Sequence, residues 1–310
     1  MKTKVLIVDD AHTVLLQKLE QAGIAYDYKP DFSRTDAENA IVAYTGLVIR
    51  SKFQVDKQFI DLASNLQFIA RCGAGMDNID EAYAVSKGIK LISANEGNRD
   101  AVGEHMIGML LSLMNHLNNG NQEIKNGLWR REPNRGYELK GRTVALIGYG
   151  HNGQAMAKKL SGFDVNVIAY DKYKTGFTDQ FAKEVAMEEV VKQADVLSFH
   201  IPLTPETKGL INQEYLFHFK KPFFLLLGAR GGIVEVPAVL KAMDEGKIIG
   251  AAFDVLPVEK FPTLAEQSWF SDLASRDNVL LSPHVAGWTF ESYYKLSDVV
   301  AEKIIALFNK

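Results

Sequence analysis

The apolar run VALI at residues 144–147 passes straight into Gly148-Tyr149-Gly150-His151-Asn152-Gly153 and then into a helical pattern. A strand, a G-x-G-x-x-G turn and a helix in that order commit the region to a βαβ unit shaped for a dinucleotide. The first glycine permits the tight turn, the second lets backbone approach a pyrophosphate, and the third lets helix and strand pack closely. The helix N-terminus then faces the phosphates. The next strand, VNVIAYD, ends in Asp171, 18 residues past Gly153. A carboxylate there accepts hydrogen bonds from the ribose hydroxyls and repels a 2′-phosphate. The expected cofactor is therefore NAD in preference to NADP, although Lys172 and Lys174 weaken the discrimination. A plain glycine turn is the competing reading of the loop, and the acid after the following strand tells against it.

This unit begins almost halfway along the 310 residues. Short apolar, β-branched runs alternate with helical patterns almost throughout, which predicts an α/β protein built on parallel sheets. The first series of strands is expected near 4–8, 24–28, 46–49, 67–71 and 90–92, with a helix over 11–22 that Gly23 stops. A long helix follows over 101–117, then a polar connector over 118–136. The second series is expected at 142–147, 165–170, 195–199, 223–227, 249–253 and 279–281. A final amphipathic helix over 290–308 has no strand after it and needs a surface to cover.

Composition narrows the class. With 47% hydrophobic residues the chain can bury two moderate cores, and its longest apolar runs are strand-sized, far short of the roughly 20 residues that span a bilayer. The start, MKTKVLIVDD, reads as a strand and carries no secretory pattern. One cysteine, Cys72, excludes an internal disulfide framework and a cysteine zinc cluster, and no metal is expected. The cytoplasm is the expected compartment. A net charge of −3 without a basic run offers no footprint for nucleic acid or a membrane surface, so the expected partner is a small molecule.

In open parallel sheets, ligands bind beyond the carboxyl ends of the strands. Strand 195–199 is followed by His200, Ile201 and Pro202. Strand 223–227 is followed by Gly228, Ala229 and Arg230, strand 249–253 by Asp254 and then Glu259, and strand 279–281 by Ser282, Pro283 and His284. Arg230 offers a planar fork for a carboxylate and polarises an adjacent carbonyl. His284 titrates near neutrality and can exchange a hydroxyl proton as hydride moves, and Glu259 can orient the imidazole and stabilise its charged form. Hydroxyl-to-carbonyl interconversion beside a carboxylate is the expected reaction. His200 is read as scaffolding of the cofactor loop. For Asp254 a turn residue and a partner for the nicotinamide end remain alternatives, the second preferred. His12, His105, His116 and His218 carry no assignment, and His151 offers backbone more than side chain.

Together with VIRSKF (48–53), RCGAGMDNID (71–80), AVGEHMIGMLLSL (101–113), FHIPLTPET (199–207), GARGGIVEV (228–236), GAAFDVLPVE (250–259) and SPHVAGWT (282–289), these residues resemble the D-isomer-specific 2-hydroxyacid dehydrogenases, and within them the D-3-phosphoglycerate dehydrogenases. The resemblance covers essentially the whole chain. It implies two Rossmann-like domains: a discontinuous, flavodoxin-like substrate domain (1–99 and 288–310) and an inserted NAD-binding domain (100–287), joined by a hinge that closes on the substrate and excludes water. It also implies that Arg230, Glu259 and His284 are the catalytic trio. By the same resemblance Gly73-Ala74-Gly75 bind the substrate carboxylate through backbone N–H groups, and Thr207 and Ala229 join the cofactor contacts. A homodimer through the NAD-binding domain follows from the same analogy. Asn152 stands where a branched aliphatic is usual, Gly228 replaces a frequent Asn and Lys260 a frequent Pro. No regulatory extension follows the last helix, so serine feedback through such a domain is not expected.

Arg50, Ser51 and Lys52 follow the third strand and are expected to face the substrate. Their positive charge exceeds what one carboxylate needs, which favours a phosphorylated hydroxyacid. Arg131 and Arg135 in the connector could add to this charge across a dimer interface, but solvated surface residues are the preferred reading. The expected reaction is oxidation of 3-phosphoglycerate to 3-phosphohydroxypyruvate, as in serine biosynthesis. The alternative is a reductase for glyoxylate, hydroxypyruvate or another 2-keto acid. A remoter reading is a non-catalytic NAD sensor, like the family's corepressor branch.

Overall fold

A computed structural model describes residues 4–308. Residues 1–3 and 309–310, which the expected domain limits include, lie outside the described residues. The chain forms two compact units, Met1–Arg99 with Trp288–Lys310, and Asp100–Gly287.

The first unit carries five parallel strands: β1 (Lys4–Ile7), β2 (Ala25–Tyr28), β3 (Gly46–Ile49), β4 (Phe68–Arg71) and β5 (Lys90–Ser93), in the order β2-β1-β3-β4-β5. That is the flavodoxin-like order, which changes direction between β1 and β3. β3 is buried along its whole length because helices cover both faces of the sheet. One face packs Leu15 and Leu19 of helix Thr13–Gln21 against Val5, Ile7 and Val48, and the last helix, Phe290–Phe308, adds Leu296, Val300, Ala301 and Ile304 to the same core. This answers where the final amphipathic helix buries its stripe. Cys72 is enclosed in this core, and burial pushes its thiol up to about 12, so it is an inert apolar filler.

The second unit has β6 (Thr143–Ile147), β7 (Asn166–Tyr170), β8 (Lys183–Glu184), β9 (Val196–Phe199), β10 (Phe223–Leu227), β11 (Ile248–Phe253) and β12 (Val279–Leu281), all parallel, in the order β12-β11-β10-β9-β6-β7-β8. This is the doubly wound Rossmann order extended by one strand. β10 is apolar at every position, FFLLL, and buried throughout, as a central parallel strand must be. β8 has two residues, too few for a periodic pattern, and was not among the expected strands.

One expectation is overturned. Residues 118–136 are not all connector, because Leu117–Lys125 is a helix. The long helix ends earlier, spanning Arg99–Met114, and His116 takes a left-handed conformation (φ 49°) that redirects the chain before the next helix starts. The new helix buries none of its residues, and Leu117 and Ile124 are its only apolar side chains, too few to set a readable period in a polar stretch. None of the described helices is long and apolar enough to cross a membrane.

Candidate active site

The strands of the second unit end in loops that carry the expected chemistry. β6 leads into the glycine loop, where Gly148 has φ 93° and lies against the carbonyl of His200: a Cβ there would fall 2.7 Å from that oxygen. Gly153 packs on Gly148, with the carbonyl oxygen only 2.3 Å from where a Cβ would be. At Gly150 a Cβ would meet nothing within 4 Å, so the middle glycine opens onto free space. Gly150 also N-caps helix His151–Leu160 without any side-chain cap. Uncapped amides beside an open glycine are a cradle for an anionic bridge, and the loop fits the pyrophosphate of NAD.

Asp171 serves this loop directly. Its carboxylate accepts the backbone N–H of Tyr149 at 2.9 Å and that of Tyr173 at 3.0 Å. The two lysines beside it are occupied. Lys172 is ion-paired with Glu206, and Lys174 donates to the Tyr149 carbonyl at 3.1 Å. Both are thereby held in place, which removes the main argument for a 2′-phosphate site. Tyr149 requires a correction: its side chain is fully buried, stacks on Phe177 and donates to Asp179 at 3.0 Å, while both its backbone groups are taken by Asp171 and Lys174. It braces the loop instead of facing a cofactor. His151 is exposed, and Asn152 leaves its side-chain oxygen buried without a hydrogen-bond partner.

After β9, His200 sits within 3.0 Å of Ser198 Oγ, and burial pulls its pKa down to about 4, so the ring is neutral and structural. Ile201 packs beside Gly148. The Thr207 hydroxyl donates to the Pro202 carbonyl at 2.7 Å and accepts from Thr204 N–H at 2.8 Å, closing the loop on itself. After β10, the absent side chain at Gly228 is explained by Met106, whose sulfur would lie 2.3 Å from a Cβ. Nη1 of Arg230 donates to the Ala229 carbonyl at 2.7 Å.

The loop after β12 is anchored by Asp254. This carboxylate is 1% exposed and accepts the Ser282 hydroxyl at 2.6 Å, Val285 N–H at 2.9 Å and Ala286 N–H at 2.9 Å. His105 from helix Arg99–Met114 completes the cluster, 3.0 Å from Ser282 Oγ and 3.5 Å from Asp254 Oδ1. Asp254 is thus committed to shaping the loop, which corrects its expected contact with a nicotinamide. His105 carries no assignment from the sequence, where it is one of several polar residues of its helix, and only its contact with Ser282 marks it.

His284 sits at φ 55°, a left-handed conformation costing a non-glycine residue about 1–3 kcal/mol. Its N–H donates to the Asp254 carbonyl at 2.7 Å, which holds it there. Nδ1 lies 2.9 Å from Glu259 Oε2. A carboxylate only accepts, so Nδ1 carries the proton and Nε2 is left to do chemistry. The hydrogen bond that His284 donates to Glu259 raises the His284 pKa. Desolvation opposes it, as does the positive charge of Arg230, which is close enough to act on the ring. Arg230, Glu259 and His284 are therefore brought together on one rim. Beside the pair lies a cavity of about 340 Å³ walled by Leu256, Phe261, Leu264 and Phe270. No cluster of metal ligands occurs among the described residues.

In the first unit, three successive amides, those of Arg50, Ser51 and Lys52, donate to Asp9 Oδ2 at 2.8–3.0 Å. Lys52 departs from expectation, because its ammonium reaches the Pro30 carbonyl instead of joining Arg50. Gly73 is a second correction, since its N–H is spent on the Arg71 carbonyl at 2.8 Å. The amides of Ala74 and Gly75 make no hydrogen bond among the described residues. Arg71, which sequence reasoning passed over, ties the two loops together by donating to the carbonyls of Arg50 (2.7 Å) and Gly75. Arg131 and Arg135 are exposed.

Residues 107–286 match the model of the D-isomer specific 2-hydroxyacid dehydrogenase NAD binding domain. The chain is 32% identical over 304 residues to a D-3-phosphoglycerate dehydrogenase of Archaeoglobus fulgidus, covering 97% of this chain and 56% of that one. It is also 32% identical to a hydroxypyruvate reductase of Thermotoga maritima, covering 96% and 94%. The chain thus spans about half the length of the first relative and nearly all of the second. A Thermus thermophilus protein of known structure superposes with a TM-score of 0.82 at 27% identity, covering 99% of this chain and 97% of the other.

Proposed function

The chain belongs to the D-isomer specific 2-hydroxyacid dehydrogenases, and on that premise we propose that it is an NAD-dependent enzyme interconverting a D-2-hydroxyacid and its 2-keto acid. The observation that carries this reading is the His284–Glu259 pair, at 2.9 Å and with the Arg230 charge upon it, on the same sheet edge as the glycine loop. Bound NAD supplies the hydride acceptor. Arg230 binds the substrate carboxylate and polarises the neighbouring C–O bond. Nε2 of His284 takes the hydroxyl proton during oxidation and returns it during reduction, while Glu259 stabilises the imidazolium. Asp171 and the glycine loop hold the adenosine and pyrophosphate. On this reading residues 100–287 are the cofactor domain, and residues 1–99 with 288–310 bind substrate through Arg50 and the amides of Ala74 and Gly75.

The preferred substrate is 3-phosphoglycerate, oxidised to 3-phosphohydroxypyruvate. Arg50 supports it, because its guanidinium makes no hydrogen bond or ion pair among the described residues and so has donors for a second anion. The second reading is a hydroxypyruvate or glyoxylate reductase, favoured by the Thermotoga relative, which the chain matches along nearly its whole length. Assaying NADH consumption by the purified chain with phosphohydroxypyruvate, hydroxypyruvate, glyoxylate and pyruvate tests both. The first reading expects the highest kcat/KM on phosphohydroxypyruvate and a selective loss of it in Arg50→Ala. Equal use of the unphosphorylated acids favours the second, and no turnover with any sinks both.

The expected partner is a second copy of the chain. In the Asp100–Gly287 unit, Ile124 and Leu128 are exposed and Trp129 is 81% exposed, and these apolar side chains line a cavity of about 400 Å³ together with Glu123, Arg130 and Arg131. Such a patch is costly to leave in water. Sedimentation velocity is expected to find a dimer, and Trp129→Glu with Leu128→Glu to shift it toward monomer.

A further inference from the structure

We propose that Trp288 is a positioning residue that holds Arg50 as a ready fork for the substrate's second anion, and that the adjacent aspartates Asp9 and Asp10 build this arrangement from two sides. The inference deepens the reading of Arg50 given above and rests on it. The guanidinium carbon of Arg50 lies 3.6 Å from the centre of the Trp288 ring, a stacked cation–π contact. A stacked guanidinium keeps its N–H donors in the plane, directed outward at the edge, so covering its face with indole spends none of them. Arg50 is half-buried and no carboxylate pairs with it among the described residues, so those donors suit an incoming oxyanion.

The frame around it is specific. Asp9 accepts the backbone N–H of Arg50, and Arg71 donates to its carbonyl at 2.7 Å, which fixes where the side chain leaves the main chain. Asp10 accepts the hydroxyl of Tyr293 at 2.9 Å, and the Tyr293 ring meets Trp288 edge to face with centroids 5.7 Å apart. Thus one aspartate sets the root of Arg50 and the next, through two aromatic rings, sets its tip. A free arginine samples many rotamers, and this frame removes that freedom before the anion arrives, which lowers KM for a substrate carrying the second anion. The residues that do this lie far apart in sequence, at the end of the first strand and the start of the last helix.

The test compares KM for phosphohydroxypyruvate and hydroxypyruvate in the full chain with NADH, for the wild type, Arg50→Ala, Trp288→Leu, Trp288→Phe and Tyr293→Phe. Trp288→Leu is expected to raise the ratio of the two KM values about tenfold, with Trp288→Phe restoring most of it and Tyr293→Phe giving a smaller rise in the same direction. If Arg50→Ala raises the ratio and Trp288→Leu does not, the positioning role is overturned and the role of Arg50 stands. If Arg50→Ala leaves the ratio unchanged, the reading of Arg50 falls and takes this inference with it. An equal loss of kcat on both substrates in Trp288→Leu, without rescue by phenylalanine, marks a merely structural tryptophan and also overturns it.

Discussion

Nδ1 of His284 stands 2.9 Å from Oε2 of Glu259, so the carboxylate governs both the tautomer and the charge of the imidazole. Because Glu259 raises the pKa above its ordinary value near 6.5, the protonated ring persists to higher pH. Oxidation needs the neutral ring, so its kcat/KM should climb as pH rises through the raised pKa. Reduction needs the protonated ring and should fall over the same window. Glu259→Gln removes the charge, so both limbs should move to lower pH, and reduction at neutral pH should weaken. Superimposable pH profiles of the two proteins would show that Glu259 does not control this proton.

Asp254 predicts a stability effect. Replacing it with alanine leaves the Ser282 hydroxyl and two backbone amides without their buried acceptor. The loss should be about 3 kcal/mol or more. Urea unfolding should find a lower midpoint for Asp254→Ala, accompanied by a fall in kcat because the loop carrying His284 loses its anchor. An unchanged midpoint would mean that the loop holds itself.

Asn152 predicts the opposite sign. Its side-chain oxygen is buried without a partner, and the family's usual branched aliphatic carries no such atom. Asn152→Ile should therefore stabilise the protein by about 1 kcal/mol. Thermal unfolding read by circular dichroism checks it, and a lower melting temperature would contradict it.

Cofactor choice follows from Asp171 and its neighbours. Asp171→Ala should raise KM for NAD about tenfold, the scale of one charge-assisted hydrogen bond. NADP should remain a poor cofactor, because Lys172 stays bound to Glu206. Releasing that lysine in Asp171→Ala with Glu206→Ala should admit NADP. Equal use of both cofactors by the unaltered chain would refute the assignment.

Much of the architecture was legible because parallel strands buried on both faces read as short continuous apolar runs, and β3 and β10 announced themselves in that way. The helix Leu117–Lys125 was not, since Leu117 and Ile124, its only apolar side chains, stand exposed in a polar stretch and set no readable period. Residue types told equally little about commitments made in space. Asp254 looked available and is enclosed, Lys52 looked like a substrate ligand and reaches a carbonyl, and Gly73 spends its amide on Arg71.

What the sequence determined by itself was the order of most strands and helices, the glycine loop, and the family to which these motifs point, because each depends on residues close together in the chain. Tertiary structure alone decided which polar groups remain available for chemistry. A side chain at a strand end can bind a ligand only if no neighbour has already taken its hydrogen bonds, and those neighbours, such as Pro30 for Lys52 or His105 for Ser282, come from distant segments that only folding brings into contact.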